Sequence, residues 1–197
     1  MKKQEIKNLI RKKNPIIFEI GCADGIDTME FIKAFGDEMT LYCFEPDERN
    51  ANTFLNGGDR PLDKNFKSGI KRDNVIFEQK AIGNIDGVVE FNQSSTIYSS
   101  SLKKPVNALF EQWPQIKFDS VLNVESVKLD SYVSDKNIGI IDFVWADVQG
   151  AEDLMIEGGK DSFNNKVRFL YTEYAKTEYY EESLNQIDIL KSLGDSW

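Results

Sequence analysis

Three short segments bring acids and glycines together in patterns that can do chemistry: Glu19-Ile20-Gly21-Cys22-Ala23-Asp24-Gly25, Phe44-Glu45-Pro46, and Ala146-Asp147-Val148-Gln149-Gly150-Ala151-Glu152. A glycine directly after an apolar run lets the backbone turn sharply and approach a ligand with no Cβ in the way. The helix that follows offers free amides and a positive dipole end to a carboxylate or phosphate. Alone, such a stretch is also an ordinary tight turn. Glu45 stands twenty positions after Gly25. An acid at that place can accept hydrogen bonds from both hydroxyls of a ribose lying over the glycine loop, although Glu45 by itself also reads as a cap for a helix opening near Asp47. Loop and acid together point to an adenosine-containing cofactor.

The choice of cofactor turns on the glycines. A dinucleotide fingerprint needs glycine, or alanine at the third place, to seat a pyrophosphate. Here the positions after Gly21 are Ala23 and Ile26, so a pyrophosphate crowds Ala23 and Ile26 holds helix and strand apart. S-adenosylmethionine carries no phosphate and presents an ammonium and a sulfonium, cations that Glu19 and Asp24 suit. Asp24 reads equally as an N-cap. Asp147 leaves its apolar run where the reactive end of such a cofactor lies, and Gly150 again permits close approach. Glu152 is either a stabiliser of the first helical turn or a site residue, since acids are favoured at helix starts whatever the function.

These residues must be held by a scaffold, and the apolar pattern supplies one. Ile16–Ile20, Leu41–Phe44, Val75–Phe77, Ile140–Ala146 and Val167–Tyr171 read as buried strands. Helices are expected from Asp24 or Gly25 to Gly36, from Asp47 to Asn56, from Ala151 to Gly158, and over 181–192, with residues 59–74 as a loop. Asn84-Ile85-Asp86-Gly87 predicts a hairpin into Val88–Phe91. Residues 94–120, rich in Ser, Lys and Pro, read as a substrate-facing insertion. Strands separated by helices imply an α/β, Rossmann-like, doubly wound, mostly parallel sheet, with ligands beyond the carboxyl ends of its strands.

The totals narrow the function. One domain over residues 1–197 is expected, with residues 1–14 as a basic leader helix whose charges read as solvated. The formal charge of −9 argues against nucleic acid as a partner. No apolar run approaches a membrane span, and Cys22 and Cys43 read as reduced, buried residues in a cytoplasmic protein. There is no histidine, which removes Ser-His-Asp and Cys-His catalysis and every His-ligated metal site. A proton acceptor must then be a carboxylate, Lys, Tyr or water.

The segment around Asp147 resembles that of the FkbM family of methyltransferases, in which a hydrophobic strand runs into Asp-Val-Glu-Gly-Ala-Glu. FEIGCADG resembles the family's cofactor loop, and CFEPDERN its second-strand acid. KAIGNIDGVVEFN resembles its third strand and hairpin, SSSL its serine-rich segment, and VKLDSYV its helix lead-in. Together these cover most of residues 16–175. Trp145 stands where the family usually has Lys, and Gln149 where it often has Glu. The resemblance implies S-adenosylmethionine held by Glu19, Gly21, Asp24, Gly25, Glu45, Pro46, Ala81 and Asp147. It also implies O-methylation of a sugar or other small hydroxylated metabolite, and a sheet of seven strands. The chain stops after its fifth expected helix, so the last two strands are expected to be missing or the sheet shorter.

For a hydroxyl acceptor, Asp147 is the first candidate for a general base or for orienting the acceptor, and Glu173 the second. Asp147 alternatively holds the methionine ammonium. The two acids could share a divalent cation, but nothing in the sequence requires a metal. Ser99, Ser100 and Ser101, with Tyr98, Phe110, Trp113 and Tyr174, can form a sugar-binding wall or serve as loop and core, and Gln149 is placed on the acceptor side. A NAD-dependent oxidoreductase or epimerase and a non-catalytic binding module are the competing readings.

Overall fold

A computed structural model describes residues 1–194 and 197. Five strands form the main sheet: β1 (Ile16–Ile20), β2 (Thr40–Phe44), β3 (Val75–Glu78), β7 (Phe143–Ala146) and β8 (Leu170–Thr172). Their order is β3-β2-β1-β7-β8, and every pairing is parallel. The chain winds outward from β1 through β2 to β3, then returns to lay β7 on the other side of β1. The winding therefore reverses between β1 and β7, where the loops diverge and leave a crevice.

Both faces are covered, as short apolar strands without a polar side require. On one face α1 (Lys3–Ile10), α2 (Ile26–Phe35) and α3 (Glu48–Asn56) bury Ile6, Phe31 and Phe54 against Ile17 and Leu41. On the other, α5 (Leu129–Asp135), α6 (Glu152–Gly158), α7 (Lys160–Asn165) and α8 (Gln186–Leu193) bury Leu129, Met155, Phe163 and Ile189 against Phe18 and Val144. Gly158 allows α6 to touch the turn at Gly83, since a Cβ there would lie 1.9 Å from the Gly83 carbonyl oxygen. No helix among the described residues is long and apolar enough to cross a membrane.

A second sheet covers one end of the crevice, and here the structure corrects the sequence reading. β4 (Ala81–Ile82) and β5 (Gly87–Gln93) do not form the expected hairpin. β6 (Ser120–Val127) lies between them, parallel to β4 and antiparallel to β5. The turn is tied elsewhere: the Asp86 carboxylate accepts the Lys128 amide and the Ser131 hydroxyl, anchoring it to the start of α5. Residues 94–120 include the short helix α4 (Asn107–Gln112), and α7 follows the Gly158-Gly159 stop that sequence placed at the end of α6.

The basic leader is also not simply solvated. Ile6 and Ile10 are buried, and Lys3 is only 4% exposed. Its ammonium lies over the Trp145 ring and pairs with Asp27 at 2.8 Å. Trp145 in turn stacks on Tyr171, so it packs within the sheet rather than bordering a pocket.

Strand alternation decides the fate of Glu19. Phe18 and Ile20 face the α5–α8 side, so Glu19 faces α2. There its Oε2 accepts the Thr28 hydroxyl at 2.6 Å and the Cys43 thiol, while Oε1 has no partner. Burial pushes this carboxyl up to about 8, outweighing the Thr28 hydrogen bond. Because the folded pKa lies above the unfolded one, Glu19 contributes stability below the unfolded value that is lost as pH rises through about 8. Glu19→Gln should therefore lose less stability than the parent between pH 5 and pH 9, by on the order of a few kcal/mol in urea unfolding. Ile6→Ala should cost roughly 2–5 kcal/mol in the same assay if α1 is part of the core.

Candidate active site

The loops leaving β1, β2, β3 and β7 converge on one cleft. Gly21 makes this convergence possible. Its φ is +82°, and a Cβ there would sit 1.9 Å from the Asp147 carbonyl oxygen. The Gly21 and Cys22 amides both donate to the Phe44 carbonyl, and the Asp147 amide donates to the Ile20 carbonyl. Three strand ends are thus locked by backbone contacts. Ala23, at φ +46°, turns its amide to Glu45 Oε2 at 3.0 Å.

Glu45 is buried at the end of β2, and its Oε1 accepts the Asp47 amide at 2.8 Å. Burial pushes its carboxyl up to about 8, against the pull of the Asp47 and Ala23 amides. Each carboxylate oxygen accepts only one of these amides, so lone pairs remain for a ligand. Pro46 and Ala81 line the cleft beside Glu45, and Phe91, Ile97 and Leu102 from β5 and the following loop add apolar walls. That loop is pinned by Asp47, the N-cap of α3. Burial pushes Asp47 up, but bidentate pairing with Arg49 and the Gln93 amide hold it below the usual carboxylate range, and the Ser100 hydroxyl also donates to it.

Other expected cofactor residues take supporting positions. Asp24 is fully buried, and its Oδ2 accepts the Tyr98 hydroxyl at 2.8 Å, so it steadies a residue that lines the cleft. Gly25 caps α2 at φ +88°, where a Cβ would meet Ile70 and Phe54. Glu19 lies behind α2 and lines neither this cleft nor the next. Arg60, buried in the 59–74 loop, was not foreseen. Its guanidinium donates to the carbonyls of Asp24, Phe66 and Thr53, so the loop over the glycine turn is fixed by backbone acceptors that no residue pattern reveals.

Asp147 and Gln149 also line a second cleft, which opens on the other side of the β7 loop. Burial pushes the Asp147 carboxyl up to about 6, with the nearby Glu173 charge adding to the shift. Its Oδ1 accepts the Gln149 amide at 2.6 Å, and Gln149 Oε1 accepts the Tyr180 hydroxyl at 3.3 Å. Tyr180 also donates to the Ser99 carbonyl and packs on Gly150, whose φ is +88°, leaving no room there for a Cβ. A wall running Asp147-Gln149-Tyr180 therefore separates the two clefts while Asp147 reaches both.

The second cleft is walled by Trp113, Tyr174, Tyr179 and Tyr180, with Glu152 and Glu173 as further acids. Glu152 is buried, whereas Glu173 and Tyr174 are exposed at the rim. Of the serines, Ser99 lines the second cleft and Ser100 the first. Ser101 lines neither. It is buried, its hydroxyl accepts the Lys103 amide, and its backbone bridges to Asn92. Phe110 packs on Phe118. Among the described residues no group of three or more acids or thiols is arranged to hold a metal ion.

A glycine-and-acid cleft joined through one carboxylate to an aromatic, acidic cleft suits a reaction between two ligands. Comparison with known proteins agrees. The chain is 36% identical over 190 residues to the 2-O-methyltransferase NoeI of Sinorhizobium fredii (strain NBRC 101917 / NGR234), covering 92% of this chain and 72% of that protein. No solved structure matches this chain. Residues 19–196 match the Methyltransferase FkbM domain. With the match running from β1 past α8, this chain belongs to the FkbM methyltransferase family.

Proposed function

We propose that the protein transfers a methyl group from S-adenosylmethionine to a hydroxyl of an uncharged saccharide or a similar polyhydroxylated small molecule. The observation that carries this reading is the meeting of the two clefts at Asp147. The first cleft fits the methyl donor. Gly21 lines it with no Cβ, which lets the β1 and β7 ends meet beside the cleft, Glu45 has free lone pairs for the two ribose hydroxyls, and Pro46, Ala81 and Phe91 offer an apolar slot for the adenine. When bound, the donor supplies a methyl group on a sulfonium.

The second cleft fits the acceptor. Aromatic side chains stack on the C–H faces of sugars, and carboxylates and amides accept or donate to their hydroxyls. Gln149 and Tyr174 lie on this side, with Ser100 across the wall and Ser101 behind it. Asp147 orients the acceptor hydroxyl, and Glu173 holds the outer part of the acceptor. No Lys or Arg lines this cleft among the described residues, so a ligand anion would meet acids and no balancing cation there. The name of the Sinorhizobium relative supports oxygen as the methylated atom. The chain's work is chiefly to position donor and acceptor and exclude water, effects worth up to ~7–11 kcal/mol.

Two outcomes test this. In calorimetry with S-adenosylhomocysteine, Glu45→Gln should weaken binding by roughly 1–3 kcal/mol, the worth of hydrogen bonds to a charged group. Binding to the parent should tighten from pH 6 to pH 8, because ribose hydroxyls favour the ionised form of a carboxyl that sits at about 8 when the cleft is empty. No binding to folded protein contradicts the assignment. For the acceptor, methyl β-D-glucopyranoside should be methylated at least about tenfold faster than the corresponding uronate, given like-charge repulsion in a cleft whose charged lining residues, among those described, are all acids. Preference for the uronate contradicts it.

A further inference from the structure

Glu152 is the one acid of the second cleft that is both buried and uncommitted to another side chain. Asp147 holds the Gln149 amide, and Glu173 is exposed. The neighbouring Asp153 pairs with Lys103 at 2.7 Å, which leaves that cation engaged. Among the described residues Glu152 has no Lys or Arg within ion-pair distance, although its side chain is only 4% exposed and lines the cleft. A helix-capping role alone does not call for a buried acid on the wall of a cavity beside the donor cleft. We propose that Glu152 is a catalytic residue, the carboxylate that receives the proton of the acceptor hydroxyl. The inference rests on the hydroxyl-methylation reading above.

The step balances with groups already named. The acceptor oxygen bonds to the methyl carbon as the carbon–sulfur bond breaks, and that electron pair stays on sulfur, leaving a neutral thioether. The hydroxyl proton passes to the Glu152 carboxylate and from there to solvent. Asp147 orients the hydroxyl, and Tyr180 closes the wall beside it.

The electrostatics agree with the placement. Burial pushes the Glu152 carboxyl up to about 7, where a base works efficiently near neutral pH. Its own amide and that of Gly150 pull it back, while the Asp147 and Asp153 charges push it further up. Tyr180 faces it from the opposite loop, and burial and the two acids Asp147 and Glu152 hold that phenol protonated. The ionised form of Glu152 is the active one, so turnover should fall as pH drops below about 7.

The test has an arm that needs no acceptor. In protein labelled with carbon-13 at the glutamate carboxyls, the resonance that Glu152→Gln removes should titrate near 7. Titration at the ordinary ~4.3 overturns the proposal. In the kinetic arm, S-adenosylmethionine and methyl β-D-glucopyranoside are the substrates. Glu152→Gln should lower kcat by ~100–10,000-fold with little change in S-adenosylhomocysteine affinity. Formate should restore part of the activity of Glu152→Ala, a rescue that a structural role would not produce. Near-normal kcat in Glu152→Gln, loss of S-adenosylhomocysteine binding in that variant, or absence of formate rescue overturns the proposal. If the parent binds S-adenosylhomocysteine but methylates no glycoside, the saccharide reading and the proton-acceptor role of Glu152 fall together, whereas failure of the Glu152 arms alone leaves the saccharide reading standing.

Discussion

The contact between Gly21 and the Asp147 carbonyl governs the geometry of this protein. Two adjacent parallel strands end in loops that must diverge to make a crevice, yet here they first touch backbone to backbone. A side chain at Gly21 would overlap the Asp147 carbonyl oxygen outright. Because the Asp147 amide is also held by Ile20, the β7 loop leaves the sheet in one direction only. That direction carries the Asp147 carboxylate to the junction of both clefts. The other anchors act on the same frame from outside: Arg60 fixes the loop over the glycine turn, Asp47 fixes the 94–101 segment, and Tyr180 closes against Gly150.

A second constraint is the unbalanced negative charge in this frame. Glu45 and Glu152 are buried and Asp147 is half-buried, and each carboxyl is raised by desolvation. Three such acids without cationic partners destabilise the unliganded fold if ionised. In the proposed reaction a donor that brings a sulfonium and an ammonium offsets part of that repulsion, and an uncharged acceptor adds none. Glu19 differs in kind: it is buried on the far side of β1, tied to Thr28, and belongs to the packing of α1 and α2.

Much of the centre of this site was legible in the sequence because it depends on rules that act locally. Strand ends, glycines beside acids, and the absence of histidine identify Gly21, Glu45 and Asp147 without any coordinates. Where the reading went astray, the cause was alternation or distance along the chain. Glu19 is next to the loop in sequence, but the period of two along β1 turns it to the α2 face. The β4–β5 hairpin was plausible from its turn residues, yet β6 enters from far along the chain to separate the strands. The same distant pairing hid the apolar walls that Phe91 and Leu102 give the first cleft. Lys3 over Trp145 joins the first helix to a central strand, a contact with no local signature. Glu152 was readable as a residue but not as a role, since an acid at a helix start is expected whether or not it faces a cavity.

The central claim is that the donor lies over Gly21 with its reactive end toward Asp147, so that the second cleft opens onto it. A crystal structure with S-adenosylhomocysteine tests this most directly. The account predicts the ribose hydroxyls on the Glu45 carboxylate, the adenine against Ala81 and Phe91, and the sulfur facing Asp147 at the mouth of the aromatic cleft. Density for the ligand elsewhere, or a sulfur turned away from Asp147 and the second cleft, would contradict it.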